Sequence, residues 1–267
     1  MIDKHDRTII EDPGVYYDHA NRKKEWKTGD LSRMSKIVDE YISESSSSRL
    51  LEVGCGMAET LEHLSHDVRY YGLDPTPSCI VRGKERYPNH VFIEGVAEKV
   101  PFEDNFFDIV LSIQVIEMLH DPKTALEEMM RVIKPGGLFI ALSPNFENPK
   151  STISAVRHYT RWQKFVLVLK RIWDIIKRFL GVLTFRTIFQ NIMQTGGRYE
   201  KGDDDLKYIV SAYEVTTLLK QNGFKEIYAR RAGEGSTGIK KLIIKVLGLL
   251  PPFRYYGSGL FLVYKKV

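Results

Sequence analysis

Cysteine is nearly missing from this chain. Cys55 and Cys79 are the only two in 267 residues, too few for a disulfide framework, so a reducing cytoplasm is the expected setting. No apolar core of a secretory signal occurs between Met1 and Asp18, where charged and apolar residues alternate. No histidine, cysteine and carboxylate cluster has metal-ligand spacing, and Asp203-Asp204-Asp205 reads as a solvated loop, so no metal is expected. Acid is scarce in one stretch. Between Lys150 and Arg198 stand ten Lys or Arg and a single acid, Asp174, a net of +9 against +5 for the whole chain. The basic character is therefore local and needs a local explanation. What remains is ordinary: 43% apolar and 27% charged residues suit a globular protein able to bury a core.

From Leu50 onward the chain alternates two kinds of pattern. Strand signals lie at Leu50–Gly54, Arg69–Asp74, Val91–Glu94, Asp108–Ser112 and Gly137–Ser143. Helical patterns lie around Glu59–Leu64, Ser78–Arg86 and Lys123–Val132, with Lys134-Pro135-Gly136-Gly137 as a turn before the fifth strand. Such alternation predicts an α/β fold, a doubly wound, mostly parallel sheet with helices on both faces. Residues 147–208 break the rhythm, after which a helix near Tyr213–Asn222 and strands near Phe224–Arg230 and Ser258–Tyr264 return to it. The expected organisation is an N-terminal helical cap over 1–48, a catalytic domain over 49–146 and 209–267, and a basic helical insertion over 147–208.

The chemistry gathers at the end of the first strand, Leu51-Glu52-Val53-Gly54-Cys55-Gly56-Met57-Ala58-Glu59. Glycines directly after a strand allow a tight turn and let a ligand approach the main chain. A dinucleotide site would want a third glycine at position 59, where Glu59 stands instead, so a pyrophosphate is disfavoured. Asp74 ends the second strand 20 residues after Gly54, where a carboxylate can accept both hydroxyls of a ribose. Either feature alone could be a plain turn or a helix cap. Together they point to a nucleoside ligand where the strand order reverses.

The stretches LLEVGCG, YYGLDP, GVAEKVPFEDNFFDIVLS, IEMLHDP and RVIKPGGLFIALSPN, in this order, resemble the class I S-adenosylmethionine-dependent methyltransferases, and among them the quinone, sterol and small-molecule group. The resemblance implies a seven-stranded sheet and S-adenosylmethionine as cofactor. It would place Glu52, Gly54, Cys55 and Gly56 around the methionine part, Asp74 and Pro75 at the ribose, Ala97 and Glu98 beside the adenine, and Gln114 near the sulfonium. Three positions depart from the family pattern. Ala58 replaces a frequent third glycine, Val96 a frequent Asp at the adenine, and Met118 a frequent His. With Met118 in that place, His120 is the best-placed candidate for a general base, although a surface histidine ahead of Asp121-Pro122 is the simpler explanation of it. Tyr16, Tyr17 and His19 could close the pocket from the N-terminal segment or pack as an arm.

The insertion explains the basic surplus. Phe165, Leu169, Ile172, Trp173, Ile176 and Phe179 recur at helical spacing, while Lys164, Arg171 and Arg178 recur on the other side. Trp162 to Leu180 would span about 28 Å at ~1.5 Å per residue, but its interior charges exclude a simple membrane span. Residues 239–250 repeat the theme. Both segments, 162–183 and 239–250, could lie on an anionic membrane surface or pack as lid helices. Nucleic acid is disfavoured, because the aromatics share the apolar stripe with aliphatics instead of forming a stacking platform. The basic insertion followed by GGRYEKGDDDLKYIVSAYEVTTLLKQNGF is more loosely similar to methyltransferases of cell-surface polysaccharide and glycolipid assembly, a resemblance that favours a sugar hydroxyl on a lipid carrier. The alternatives are a polyprenyl quinone or sterol-like ring, an RNA acceptor, and a cofactor-binding scaffold without catalysis. A peripheral location on the inner face of the membrane would follow from the first reading.

Overall fold

A computed structural model describes residues 28–43, 48–64, 68–146, 159–188, 207–232, 234, 238–250, 253–255 and 259–267. Tyr16, Tyr17 and His19 lie outside them. In chain order the elements are α1 (Thr28–Ser43), β1 (Arg49–Val53), a 3-10 turn (Glu59–His63), β2 (Arg69–Asp74), α2 (Pro77–Arg86) and β3 (Val91–Glu94). Then follow β4 (Phe107–Ile113), a 3-10 turn (Ile116–Met118), α3 (Pro122–Arg131), β5 (Ile133–Pro144), α4 (Arg161–Phe179), β6 (Thr187–Ile188) and β7 (Lys207–Tyr208). The chain closes with α5 (Ala212–Gln221), β8 (Phe224–Ala229), α6 (Gly238–Leu247) and β9 (Gly259–Lys266).

Seven strands form one sheet in the order β3-β2-β1-β4-β5-β9-β8. Neighbours are parallel from β3 through β5, and β9 runs antiparallel to both β5 and β8. The expected doubly wound, mostly parallel architecture is the one observed. Strand order reverses between β1 and β4, which pair side by side although β2 and β3 lie between them in sequence. A crevice opens beyond the carboxyl ends of strands at such a reversal.

Both faces of the sheet are covered, which is why the strands are almost uniformly apolar. On one face Leu51, Val53, Phe107, Val110, Phe139 and Tyr264 meet α3 and α5. On the other, Leu50, Leu111, Ile140 and Phe261 meet Met34, Val38 and Ile42, which recur every fourth residue along α1. Asp121 caps α3 by accepting from the Thr124 amide at 3.1 Å, and Pro122 occupies the first turn, where its missing N–H costs nothing.

Two features differ from the sequence expectation. Lys134-Pro135-Gly136-Gly137 is not a turn before the fifth strand but an irregularity inside it: Phe107 pairs with Ile133, and Ile109 next with Leu138. Gly136 takes a φ of 81° there, and Lys134 reaches back to Asp108 at 2.7 Å. The second difference lies in the basic residues of α4, which the sequence pattern counts toward an anionic surface. Arg171 and Arg178 are buried, whereas Trp162, Phe165, Leu169, Ile172, Trp173 and Phe179 are exposed.

Buried polar partners explain that orientation. Glu214 on α5, fully buried, accepts from Arg178 at 3.3 Å, from the Thr184 hydroxyl at 2.6 Å and from the Tyr208 hydroxyl at 2.9 Å. Asp174 pairs with Arg186, and Arg171 donates to the Phe146 carbonyl at the end of β5. A buried charge left unpaired is costly, so these partners hold α4 polar side inward. Among the described residues no helix is long and apolar enough to cross a membrane.

Candidate active site

The carboxyl ends of β1, β2 and β4 meet at the strand-order reversal. After β1 the chain turns through Gly54 and Gly56, with φ of 72° and 51°. At Gly54 glycine is required twice over, by its φ and because an added Cβ would stand 2.2 Å from Val115 Cγ2. The Gly54 and Cys55 amides both donate to the Leu73 carbonyl, at 2.7 and 3.1 Å, folding the turn over the end of β2.

Asp74 sits under that turn, 7% exposed. One carboxylate oxygen accepts the Gly56 amide and the other the Thr76 amide, both at 2.9 Å. Burial raises its pKa, and those hydrogen bonds pull it back. Each oxygen retains acceptor capacity for a further hydroxyl. Pro75 beside it is exposed.

Glu52 stands behind the loop. Its oxygens take the hydroxyls of Thr60, at 2.7 Å, and Tyr70, and burial pushes its pKa up to about 7. Through these hydroxyls the carboxyl braces the segment after the turn from the α1 side of the sheet. Cys55 is buried, and burial pushes its thiol pKa well up, which leaves it inert as a nucleophile. Cys79 is buried as well.

The other expected residues lie on neighbouring loops. Ala97 is buried and Glu98 half-buried on the segment after β3. Arg131 of α3 ties that segment down, donating to the Val100 and Phe102 carbonyls at 3.0 and 2.8 Å. Glu98 in turn accepts the backbone amide of His120 at 3.2 Å, linking the expected adenine side to the loop ahead of α3. His120 is exposed at the rim. Gln114, directly beyond β4, holds a φ of 57° and donates its amide to the Leu142 carbonyl at 2.7 Å. Among the described residues, the Ser112 hydroxyl, two positions earlier, is the one buried side-chain polar atom without a hydrogen-bond partner.

One further carboxylate stands at this edge, which the motifs of the sequence do not single out. Glu117, 5% exposed in the turn after β4, accepts the Ser143 hydroxyl at 2.8 Å. The available signal was a charged residue amid the apolar Val115, Ile116 and Leu119. Among the described residues no group of side chains could hold a metal ion.

Comparison with known proteins decides what the crevice belongs to. Residues 51–141 match the family model described as a methyltransferase domain. A demethylmenaquinone methyltransferase of Staphylococcus haemolyticus is 30% identical over 168 residues, covering 60% of this chain and 68% of the relative. The chain belongs to the class I S-adenosylmethionine-dependent methyltransferases. A second such relative, from Chlorobaculum tepidum, is 23% identical across 82% of this chain and 84% of its own length. A phthiotriol/phenolphthiotriol dimycocerosates methyltransferase of Mycobacterium ulcerans is 36% identical over 39% of this chain and 41% of that one.

Solved structures agree on the fold. A methyltransferase from Methanosarcina mazei has a TM-score of 0.54 at 16% identity, covering 86% of this chain and 97% of its own. The [4+2]-cyclase SpnF has the same score at 14% identity, over 88% and 80%. A cyclase on this framework shows why the fold alone does not name a reaction. The residues present fit S-adenosylmethionine, the cofactor of the family: a tight glycine turn at Gly54–Gly56, bare of side chains at both glycines, and a buried carboxylate with spare acceptors at Asp74.

Proposed function

We propose that this methyltransferase transfers a methyl group to a lipid-linked or small-molecule acceptor, at a sugar-type hydroxyl, on the cytoplasmic face of a membrane. The observation that carries the site is the Gly54–Gly56 turn closed over Asp74 at the strand-order reversal. In this reading the main chain of Gly54, Cys55 and Gly56 receives the methionine part, with Glu52 as a positioning residue acting through Thr60. Asp74 and Pro75 take the ribose, Ala97 and Glu98 the adenine, and Gln114 the sulfonium end. When bound, S-adenosylmethionine would supply a methyl group activated by a cationic sulfur.

The chain's own task is then mainly alignment, worth about 7–11 kcal/mol in well-oriented reactions. A base for an oxygen nucleophile adds roughly 10²–10⁴-fold. His120 is proposed for that role, held by its backbone link to Glu98, with Tyr16 and His19 of the 1–48 cap closing the pocket. The 147–208 insertion, placed between 49–146 and 209–267 of the catalytic domain, would cover the acceptor.

A second reading, methylation of a polyprenyl quinone ring, draws support from the names of the Staphylococcus and Chlorobaculum relatives. Labelled S-adenosylmethionine incubated with native lipid and glycan pools, followed by mass spectrometry, separates the two by the product's methylated atom. Calorimetry tests the site itself. Wild type should bind the cofactor and Asp74→Ala should lose about tenfold or more in affinity; equal binding by both proteins would sink the assignment. Tight binding with no methylated product in any pool would instead indicate a scaffold. Steeply salt-dependent RNA binding would favour an RNA acceptor.

A further inference from the structure

We infer, on the reading that the acceptor is lipid-borne, that α4 and α6 form one platform that enters the surface of an anionic bilayer. Nineteen large apolar side chains are exposed among the described residues; nine of them fall between Trp162 and Val182, and six between Leu242 and Leu250. Trp162 is 70% exposed, Leu180 76% and Leu249 77%, values that do not suit side chains packed on their own domain. The end of α4 touches the chain just beyond α6, where Phe179 and Phe253 contact edge to face, with ring centroids 6.1 Å apart. Both are tied to the carboxyl edge of the sheet: α4 through Arg171 and the Phe146 carbonyl, and the chain after α6 through Asn145, which donates to the Tyr255 carbonyl at 2.7 Å. That edge also carries the Gly54 turn and Asp74, so an amphiphile leaving the bilayer would emerge beside the crevice.

Charge identifies the occupant. Arg161, Lys164 and Lys170 of α4 and Lys245 of α6 are exposed, and the one acid of α4, Asp174, is buried against Arg186. A second copy of the chain docking through the same face would set these cations against each other, because a two-fold contact is self-complementary. Anionic headgroups complement them, while the apolar stripe takes the acyl boundary. Arg171 and Arg178, which a charge-reversal experiment would choose from sequence, serve instead to lock the stripe outward.

Flotation of the full chain with phosphatidylcholine vesicles containing phosphatidylglycerol tests this. The protein should float, and its tryptophan emission should shift to the blue, since Trp162 and Trp173 lie on the stripe. Phe165→Ser, Ile172→Ser and Ile176→Ser combined should cut partitioning about tenfold or more while cofactor affinity by calorimetry stays the same. Lys164→Glu with Lys170→Glu should weaken binding to these vesicles alone, leaving any binding to pure phosphatidylcholine unchanged. Absence of flotation, or flotation indifferent to the triple substitution, overturns the platform. A dimer in ultracentrifugation that the triple substitution dissolves, without vesicle binding, would give the face to a second copy and overturn it equally. Flotation as expected, with methyl label found only in a water-soluble product, would leave the platform standing and remove the lipid-borne acceptor.

Discussion

Helix α1 and helix α4 are both amphipathic, yet they use their apolar stripes in opposite ways. Met34, Val38 and Ile42 of α1 are buried against the sheet, whereas Leu169, Ile172 and Ile176 of α4 face outward. The difference lies in what waits on the domain surface. Beneath α1 are Leu50, Leu111 and Phe261, apolar partners that reward burial of apolar area. Beneath α4 are Glu214, Tyr208 and the carbonyl of Phe146, which reward buried arginines instead. An amphipathic pattern names two faces; the neighbour decides which one turns inward.

The largest effect is expected where that neighbour is removed. Glu214→Ala leaves Arg178 buried without its carboxylate and strips Thr184 and Tyr208 of their acceptor. It should cost about 3–5 kcal/mol in urea unfolding, with Met34→Ala on the opposite face as yardstick at about 2–5 kcal/mol. A loss below that of an ordinary surface change would mean that Glu214 does not hold α4.

Next comes a contrast between two buried carboxylates. Glu214 is compensated by an arginine, while Glu52, beneath the α1 side of the sheet, is held by hydroxyls and has its pKa pushed up from 4.5 to about 7. A carboxyl raised in the folded state binds more protons there than in the unfolded chain. Its contribution is fully present below about pH 4.5 and is lost as pH rises through about 7. The total difference is about 3 kcal/mol, taken as an order of magnitude. Unfolding free energies measured across that window should fall with pH in wild type and fall distinctly less in Glu52→Gln. Parallel curves for the two proteins would show that Glu52 titrates normally.

The third test moves to the cofactor turn. Gly54→Ala adds a left-handed strain of about 1–2 kcal/mol and a Cβ that meets Val115 Cγ2 at 2.2 Å. Cofactor affinity should drop about tenfold to a hundredfold by calorimetry. Val115→Ala in the same chain should recover the steric part and leave the backbone part. No recovery would mean that the backbone conformation alone accounts for the loss.

Much of the fold around the crevice was legible because its signals are local. Arg69–Asp74 and Val91–Glu94 are bounded in the structure as the sequence pattern bounds them, and the Gly54 turn follows from a strand meeting two glycines. What escaped depends on partners far away in sequence. The orientation of α4 is set by Glu214, 36 residues beyond Arg178. Glu117 gains its place from Ser143, 26 residues on, and the irregularity at Lys134–Gly137 follows from the register with β4. Cap and catalytic candidates such as Tyr16 and His19 fall outside the described residues, so their reading rests on sequence.

The smallest effect is the sharpest check on the opposed helices. Ile172 and Met34 are both large apolar residues at helical positions, but Ile172 is 43% exposed and Met34 fully buried. Ile172→Ala removes little buried area and substitutes a better helix former, so stability should stay within about 0.5 kcal/mol of wild type. The measurement should be made at two protein concentrations. A loss approaching that of Met34→Ala at both would mean that the stripe is packed on its own domain. A loss that grows with concentration would mean that copies of the chain cover it for each other. Indifference at both, joined to weaker vesicle binding, is the result that an outward stripe reserved for lipid requires.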